Sequence, residues 1–393
     1  MENLIRYLHK KTTNTWLSLT LSLSLIFLLW LRANPDLFIF GESYLSSWRY
    51  THYLFSYESG FVKRGLIGEL LSVLSIKPSY STINYIAYSS VFILIFAVFF
   101  ILKKLWDTNK NNYGFFLLLL FITTSPATLQ HFFYDVGRFD IYIYTGVIAL
   151  LYILDSVSTI TKFLTVNLFL SLFILIHEAA FFIVAPMIFM YWYYKDSSKQ
   201  SLALQIISFF FIFFLTYLVA TNGDYTSLPL QAHVKKLVSN YGGKVVENSV
   251  AVIHKSDLQY NIYMTFERSF TLKRLLHHLI FLLCMLPSAY LLFGLYKKAS
   301  QRITLEIKIL LLSGMSPLAL YPLGYDHFRW WSLAITNIML IILFLCLNDK
   351  NISTMVFKYF EDKRKLVNLI IMLGFILGPL RVMTSFLFAE NFI

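Results

Sequence analysis

Long apolar blocks separated by short polar segments follow one another along nearly the whole chain. A helix needs roughly 20 mostly apolar residues to cross a bilayer, and most of the blocks approach that length. The pattern predicts an all-α, polytopic membrane protein that forms one membrane domain over residues 1–393. We place eleven transmembrane helices at 15–32, 83–102, 113–124, 141–154, 163–176, 179–194, 202–220, 275–296, 305–321, 331–347 and 366–388.

Two long segments, residues 33–82 and 221–274, lie between predicted spans and hold the extramembrane structure. In the first, polar residues recur at 63, 64, 69, 72 and 75 within an otherwise apolar stretch, which is typical of a helix lying in the membrane interface. In the second, the β-branched residues of 245–253 follow Tyr241-Gly242-Gly243 and indicate a short strand.

Composition excludes several classes of protein. Of the 393 residues, 58% are hydrophobic and only 14% are charged, whereas soluble domains carry roughly 25% charged residues. A soluble globular protein, a coiled coil and a disordered chain are therefore excluded. The net charge of +12 reflects membrane orientation rather than a nucleic-acid partner, because cytoplasmic loops concentrate Lys and Arg.

The distribution of Lys and Arg predicts the orientation. With the N-terminus inside, the six cytoplasmic segments hold 17 of these residues, and the three short outer turns hold only Arg138 and Arg329. The N-terminus is therefore expected in the cytoplasm, and both long loops outside it. An alternative for 15–32 is a signal peptide, but no small-x-small cleavage site follows Leu31.

Four clusters of charged residues interrupt the apolar pattern, and the predicted topology puts all of them on the non-cytoplasmic face. A charge inside a bilayer costs roughly 2.5–3.5 kcal/mol on insertion scales, so such residues usually serve a function. The clusters are residues 58–64, 135–140, 177–178 and 324–331.

The first two clusters offer ligands for an anion. Lys63 and Arg64 stand between glycines, and such a pair can hold a pyrophosphate or, alternatively, anchor the chain to lipid headgroups. Asp135 and Arg138 are three residues apart and share a helix face, with Asp140 close by. The alternative for this cluster is a carboxylate that caps a helix beside a local ion pair.

The other two clusters offer proton-transfer groups. His177 and Glu178 lie inside a long uncharged run, as a general acid or base would, although a structural hydrogen bond between helices is the alternative. Asp326 and Arg329 repeat the Asp-x-x-Arg spacing. Trp330, which follows, is either a stacking surface for a sugar ring or part of an interfacial aromatic belt.

These groups suggest a reaction that draws on an activated membrane substrate. The sequence contains no Gly-x-x-x-x-Gly-Lys-[Ser/Thr] loop for a nucleotide. Polyprenyl phosphate-linked or pyrophosphate-linked sugars fit this requirement, because cations would stabilise the departing phosphate and a carboxylate would deprotonate the acceptor hydroxyl.

In layout and in the four clusters, the chain resembles bacterial membrane glycosyltransferases of the GT-C type and Wzy-type O-antigen or capsule polymerases. The first loop lacks their usual Asp-x-Asp or Glu-Asp pair, so no metal or other cofactor is predicted. The resemblance implies a bacterial inner-membrane enzyme with a periplasmic site, a polyprenyl pyrophosphate-linked glycan as donor and acceptor, and a chain-length regulator as partner.

The resemblance also implies roles for individual residues. The catalytic candidates are Asp135, Glu178, His177 and Asp326, with Asp135 or Glu178 as the base and His177 orienting it or relaying the proton. The substrate-binding candidates are Lys63, Arg64, Arg138, Asp140, Arg329, Glu58 and Trp330.

Two other functions fit the same pattern. One is a GT-C transferase that adds a single sugar from a polyprenyl monophosphate. The other is a flippase or secondary transporter, although transporters place charges nearer the bilayer midplane and in repeated halves. All the enzyme hypotheses require that the four clusters meet in one extracytoplasmic chamber.

Overall fold

The computed structural model describes residues 5–6, 28, 45–58, 60–109, 111–224, 228–255, 258–300 and 304–390, and all regular structure in these ranges is helical. The predicted span 15–32 lies almost wholly outside them. The helices are α1 Ser47–His52, α2 Leu66–Val73, α3 Tyr80–Asn109, α4 Tyr113–Thr124, α5 Leu129–Tyr134, α6 Asp140–Leu154, α7 Thr159–Ile176, α8 Ala180–Lys195, α9 Lys199–Asn222, α10 Leu230–Tyr241, α11 Glu247–Lys255, α12 Leu258–Ser269, α13 Leu272–Ser300, α14 Leu305–Ser313, a 3-10 turn Ser316–Leu320, α15 His327–Asn348, α16 Lys350–Asp362, α17 Arg364–Leu377 and α18 Leu387–Glu390.

Six helical segments in the described part of the chain are long and apolar enough to cross a membrane. They are α3, α4 together with α5, α7, α9, α13 and α15. Their outer faces suit lipid: Ile160, Leu164, Leu168 and Leu172 form a stripe along α7, each at least 39% exposed. A stripe of this kind at every fourth residue is one face of a helix. The chain is therefore a helical membrane protein.

Helix α15 lies at the centre of the bundle, and 78% of its 18-residue apolar stretch is buried. Its Asn337 donates a hydrogen bond to the Ile183 carbonyl of α8 (2.7 Å) and accepts one from the Tyr144 hydroxyl of α6 (2.8 Å). A buried amide is costly unless it is paired. These bonds therefore fix α6 and α8 against α15 below the charged residues described next.

Several predicted spans are shorter in the structure than the apolar pattern indicated. The predicted span 305–321 consists of α14 and a 3-10 turn, divided at Gly314, with Pro317 inside the turn. The predicted span 366–388 ends as a helix at Leu377, because Gly378 adopts φ 72° and Pro379 follows it. The structure therefore does not support the count of eleven.

The predicted strand at 245–253 is wrong, because residues 247–253 belong to α11. The buried residues Ser249, Val250 and Ile253 recur with a helical period rather than alternating. The Ser249 hydroxyl donates to the Trp48 carbonyl (3.0 Å), and the Val246 N–H donates to the Thr51 hydroxyl (3.0 Å). Docking onto α1 thus overrides the β-propensity of the valines.

Two sets of polar contacts mark the opposite ends of the bundle. At one end, Asp155 pairs with Lys195 (2.8 Å) and accepts a hydrogen bond from Asn348 (3.0 Å), while Lys298 pairs with Asp362 (3.2 Å). These residues come from segments with many Lys and Arg, which the charge count assigns to the cytoplasm. The four charged clusters are at the other end.

Candidate functional site

Helix ends and breaks at one end of the bundle bring the charged residues together. Asp140 begins α6, and Asp326 immediately precedes α15. Helix α7 ends at Ile176, and α8 begins at Ala180, so His177 and Glu178 occupy the break between them. Their position between two helices explains how such polar residues lie within a long apolar run.

Arg329 is the centre of the arrangement. Its Nε and Nη2 donate to the two carboxylate oxygens of Asp140, both at 2.7 Å, in a two-pronged pair. The two side chains are only 3% and 2% exposed. Arg329 also pairs with Asp326 at 3.3 Å. Because a buried charge is stable only when paired, this contact fixes α15 to α6.

The pairing continues from Asp326 into the second cluster. Arg138 lies 3.2 Å from Asp326 and 2.8 Å from Asp135. Asp135 in turn lies 2.5 Å from Arg49 of α1, whose guanidinium also donates to the Val136 carbonyl (2.8 Å). The two Asp-x-x-Arg motifs therefore share an ion pair across the bundle.

In the other direction, the pairing reaches the first loop through His177 and Glu178. Nε2 of His177 lies 3.4 Å from Nη2 of Arg329, and its Nδ1 lies 3.5 Å from Glu178 and accepts from the Ala179 N–H. Glu178 receives two hydrogen bonds from Arg64, at 2.5 and 3.1 Å. His177 thus connects two arginine–carboxylate pairs.

All four predicted clusters therefore contribute to one array, which we call the ion network. It consists of Arg49, Arg64, Arg138, Arg329, Asp135, Asp140, Glu178, Asp326 and His177. Four guanidiniums face four carboxylates, so the formal charges balance. An anionic ligand can bind strongly here only by displacing a carboxylate from an arginine.

Lys63 lies next to the ion network and has its own partner. Its ammonium pairs with Asp224 at 2.8 Å, and the backbone N–H of Lys63 donates to the Gly223 carbonyl at 2.8 Å. Arg64 adopts φ 65°, a left-handed conformation that is uncommon for a non-glycine residue. The end of α9 thus holds the Lys63-Arg64 turn and directs Arg64 toward Glu178.

Burial divides the ion network into two layers. The side chains of Asp135, Asp140 and Arg329 are no more than 3% exposed. Those of Glu178 and Asp326 are 22% and 21% exposed, and their partners Arg64 and Arg138 are 12% and 13% exposed. The outer layer is therefore the part of the ion network that a ligand would meet first.

Electrostatics keep the groups beside Arg64 in defined protonation states. Burial favours the neutral form of Glu178, but the guanidinium of Arg64 outweighs it and holds the pKa of Glu178 well below its usual range. Burial, followed by the charge of Arg64, lowers the pKa of His177 to about 3. At neutral pH Glu178 is therefore an anion, and His177 is uncharged.

Asp135 is also kept ionised. Burial raises its pKa, while the guanidiniums of Arg138 and Arg49 together bring the pKa below the ordinary value for an aspartate. It is nearly inaccessible and paired with both arginines. This geometry favours a role in positioning Arg138 over direct contact with a ligand.

Two predicted ligands have different surroundings. Trp330 is 5% exposed, with the Arg329 guanidinium 4.7 Å from its ring centre, so a sugar would have to displace that contact to stack on it. Glu58 makes no described contact with the ion network. Its exposed side chain lines a separate pocket between the two long loops.

Three residues beside the site were not predicted from the sequence: Arg49, His52 and Asp224. His52 is 6% exposed, its Nε2 has no hydrogen-bond partner in the described part of the chain, and its ring packs 4.0 Å from that of Trp48. All three belong to the long loops, where charge patterns carry little topological information. Within the described ranges, no three His, Cys, Asp or Glu side chains are placed to hold a metal ion.

Comparison with known proteins supports the class that the fold defines, a helical membrane protein. Residues 16–187 match the model of a family described as uncharacterised membrane protein Rv1490. The matched region contains the first three clusters, and Asp326 and Arg329 lie beyond it. No curated protein and no solved structure matches the chain.

Proposed function

We propose that this protein is a membrane glycosyltransferase that uses a polyprenyl phosphate-linked or pyrophosphate-linked glycan at the non-cytoplasmic end of the bundle. One observation carries the proposal: the four sequence clusters meet in a single ion network whose outer layer is partly exposed. The ion-paired residues Asp140 and Arg329 are 189 positions apart in the sequence. The Lys and Arg distribution supports the non-cytoplasmic assignment.

In this proposal, Arg64 and Arg138 bind the phosphate. Among the arginines predicted to bind substrate, these two have the most exposed side chains. A guanidinium can bind two phosphate oxygens with two parallel hydrogen bonds. Arg329 is buried and acts indirectly, by holding Asp326 and His177 in place. As the glycosidic C–O bond breaks, the guanidiniums stabilise the charge that develops on the departing phosphate.

Glu178 and Asp326 are the carboxylates that can meet an acceptor hydroxyl, because each is more than a fifth exposed. A base held by arginine is weak, which at first argues against Glu178. A bound phosphate would take up hydrogen bonds from Arg64 and reduce its effect on Glu178, which raises the pKa of that carboxyl. Donor binding would thus activate the base that accepts the hydroxyl proton.

The more specific form of the proposal is a polymerase. A glycan on undecaprenyl pyrophosphate would be transferred to the next lipid-linked repeat unit, with a chain-length regulator as a partner. Addition of one sugar from a polyprenyl monophosphate uses the same groups. Product analysis separates the two, since a polymerase yields a ladder of lengths and a transferase a single added sugar.

Substitution of the outer layer tests the proposal. Glu178→Gln and Asp326→Asn, in cells that lack the native copy, should each abolish extension of the lipid-linked glycan and leave repeat units on the outer leaflet. Asp107→Asn is the matched control, because this carboxylate belongs to an exposed ion pair with Lys103 at 2.9 Å. Repeat units trapped on the inner leaflet would instead indicate a flippase, and an unchanged glycan would refute both functions.

A further inference from the structure

We propose that the pocket containing Glu58 binds a neutral sugar unit of the acceptor glycan. This inference rests on the proposed function, since it assigns a second subsite to the same reaction. The pocket opens to solvent and lies where segment 54–58 and Val62 of the first long loop pack against α10 of the second. A ligand bound there would therefore contact both extramembrane segments.

The lining of the pocket suits a pyranose ring. It includes a carboxylate, an ammonium, an amide and a phenol, from Glu58, Lys236, Asn240 and Tyr241 respectively. Ser56 and His233 also line the pocket, and apolar side chains, including Leu237, complete the lining. A sugar has hydroxyl groups around its rim and apolar C–H faces, and it can use both kinds of surface. One acidic and one basic side chain offset each other, which favours a neutral ligand over a phosphate.

The pocket walls are held in place by contacts outside the ion network. His233 is 7% exposed, and its Nδ1 lies 3.0 Å from Nε2 of His254 on α11. Gln231 donates to Glu247 at 2.8 Å, which connects α10 to the start of α11. Helix α11 is itself bonded to α1, so the pocket is built from ordered helices of both loops.

The position of the pocket relative to the ion network points to an acceptor. The Phe55 ring lies 5.5 Å from that of His52, beside the ion network, and 6.5 Å from that of His233, in the pocket wall. Val62, which lines the pocket, directly precedes Lys63 and Arg64. The buried Phe55 ring therefore separates the pocket from the ion network by a single side chain. A glycan that presents a hydroxyl to Glu178 would cross over this side chain and place a neighbouring sugar in the pocket.

Cysteine protection measures occupancy of the pocket without any transfer reaction. Ser56→Cys, a conservative change in the pocket lining, is placed in a Cys284→Ala background of the full-length protein, where the remaining Cys346 is buried. The rate of maleimide labelling is measured with glucose, galactose, N-acetylglucosamine, rhamnose or inorganic phosphate. We expect at least one sugar to slow labelling about threefold or more, and phosphate to have no effect.

Further variants assign the protection to the pocket. Glu58→Gln and Lys236→Met should each remove it, whereas Glu361→Gln, an exposed carboxylate of α16, should leave it unchanged. Glu178→Gln should also preserve it, so the pocket and the transfer proposal can fail independently. The inference is wrong if no sugar protects the introduced thiol, if phosphate alone protects it, or if protection survives both pocket substitutions.

Discussion

Replacing Asp140 with asparagine is expected to destabilise the protein strongly. The carboxylate accepts two 2.7 Å hydrogen bonds from Arg329, and both side chains are almost fully buried. The substitution leaves a buried guanidinium with Asp326 as its remaining carboxylate partner at 3.3 Å. Removing one member of a buried pair costs about 3–5 kcal/mol, because the other charge remains desolvated.

The free energy of unfolding can be measured by SDS titration in mixed micelles, with thiol labelling of the buried Cys346 as the readout in a Cys284→Ala background. The double variant Asp140→Leu with Arg329→Met should lose less stability than either single variant, because neither charge is left unpaired. Asp107→Asn should cost about 0.3–0.5 kcal/mol, as expected for an exposed pair. A cost below about 1 kcal/mol for Asp140→Asn would refute the reasoning.

Three further outcomes are expected. The free energy of unfolding should fall as the pH drops below 6.5, because the pKa of His177 is about 3 in the folded state and 6.5 in the unfolded chain. His177→Gln should reduce the slope of the free energy of unfolding against pH by up to about 1.4 kcal/mol per pH unit. Arg64→Lys should lower glycan transfer at least about tenfold with normal expression, since lysine lacks the two-pronged geometry that arginine offers. Gly114→Ala should cost about 1–3 kcal/mol of stability, because a Cβ there would overlap the Phe357 carbonyl oxygen. SDS titration checks the first and third, and product analysis the second.

The predicted helix boundaries are accurate where local signals agree with the tertiary structure. The prediction for 113–124 coincides with α4, because Asn112 caps the helix by accepting from the Phe115 N–H at 3.1 Å, and Ser125-Pro126 ends it. The span 366–388 is wrong because hydropathy alone does not register the break at Gly378-Pro379. Beyond that break the chain packs on α5, where His131 contacts the Leu380 carbonyl at 2.7 Å.

The predicted topology was enough to expect that the charged clusters meet at one end of the bundle. It was not enough to predict which charged side chains pair with each other. Charges that flank spans on one side of a membrane must share one end of the bundle. The sequence does not indicate which arginine pairs with which carboxylate. The local pairs Asp135–Arg138 and Asp326–Arg329 form, and Arg138 also pairs with Asp326 of the other motif. The contribution of Arg49 depends on the docking of α1, which no local pattern reports.

The two layers of the ion network have different consequences for a ligand. The inner pair Arg329–Asp140 is desolvated and two-pronged, so its geometry is expected to persist when a ligand binds. The outer pairs Arg64–Glu178 and Arg138–Asp326 retain contact with solvent and can exchange a carboxylate for a phosphate at much lower cost. Each exchange would release a carboxylate beside the newly bound anion. In the proposed reaction, the event that holds the donor would therefore also supply a base next to it, which reconciles the pairing of these arginines with a catalytic role.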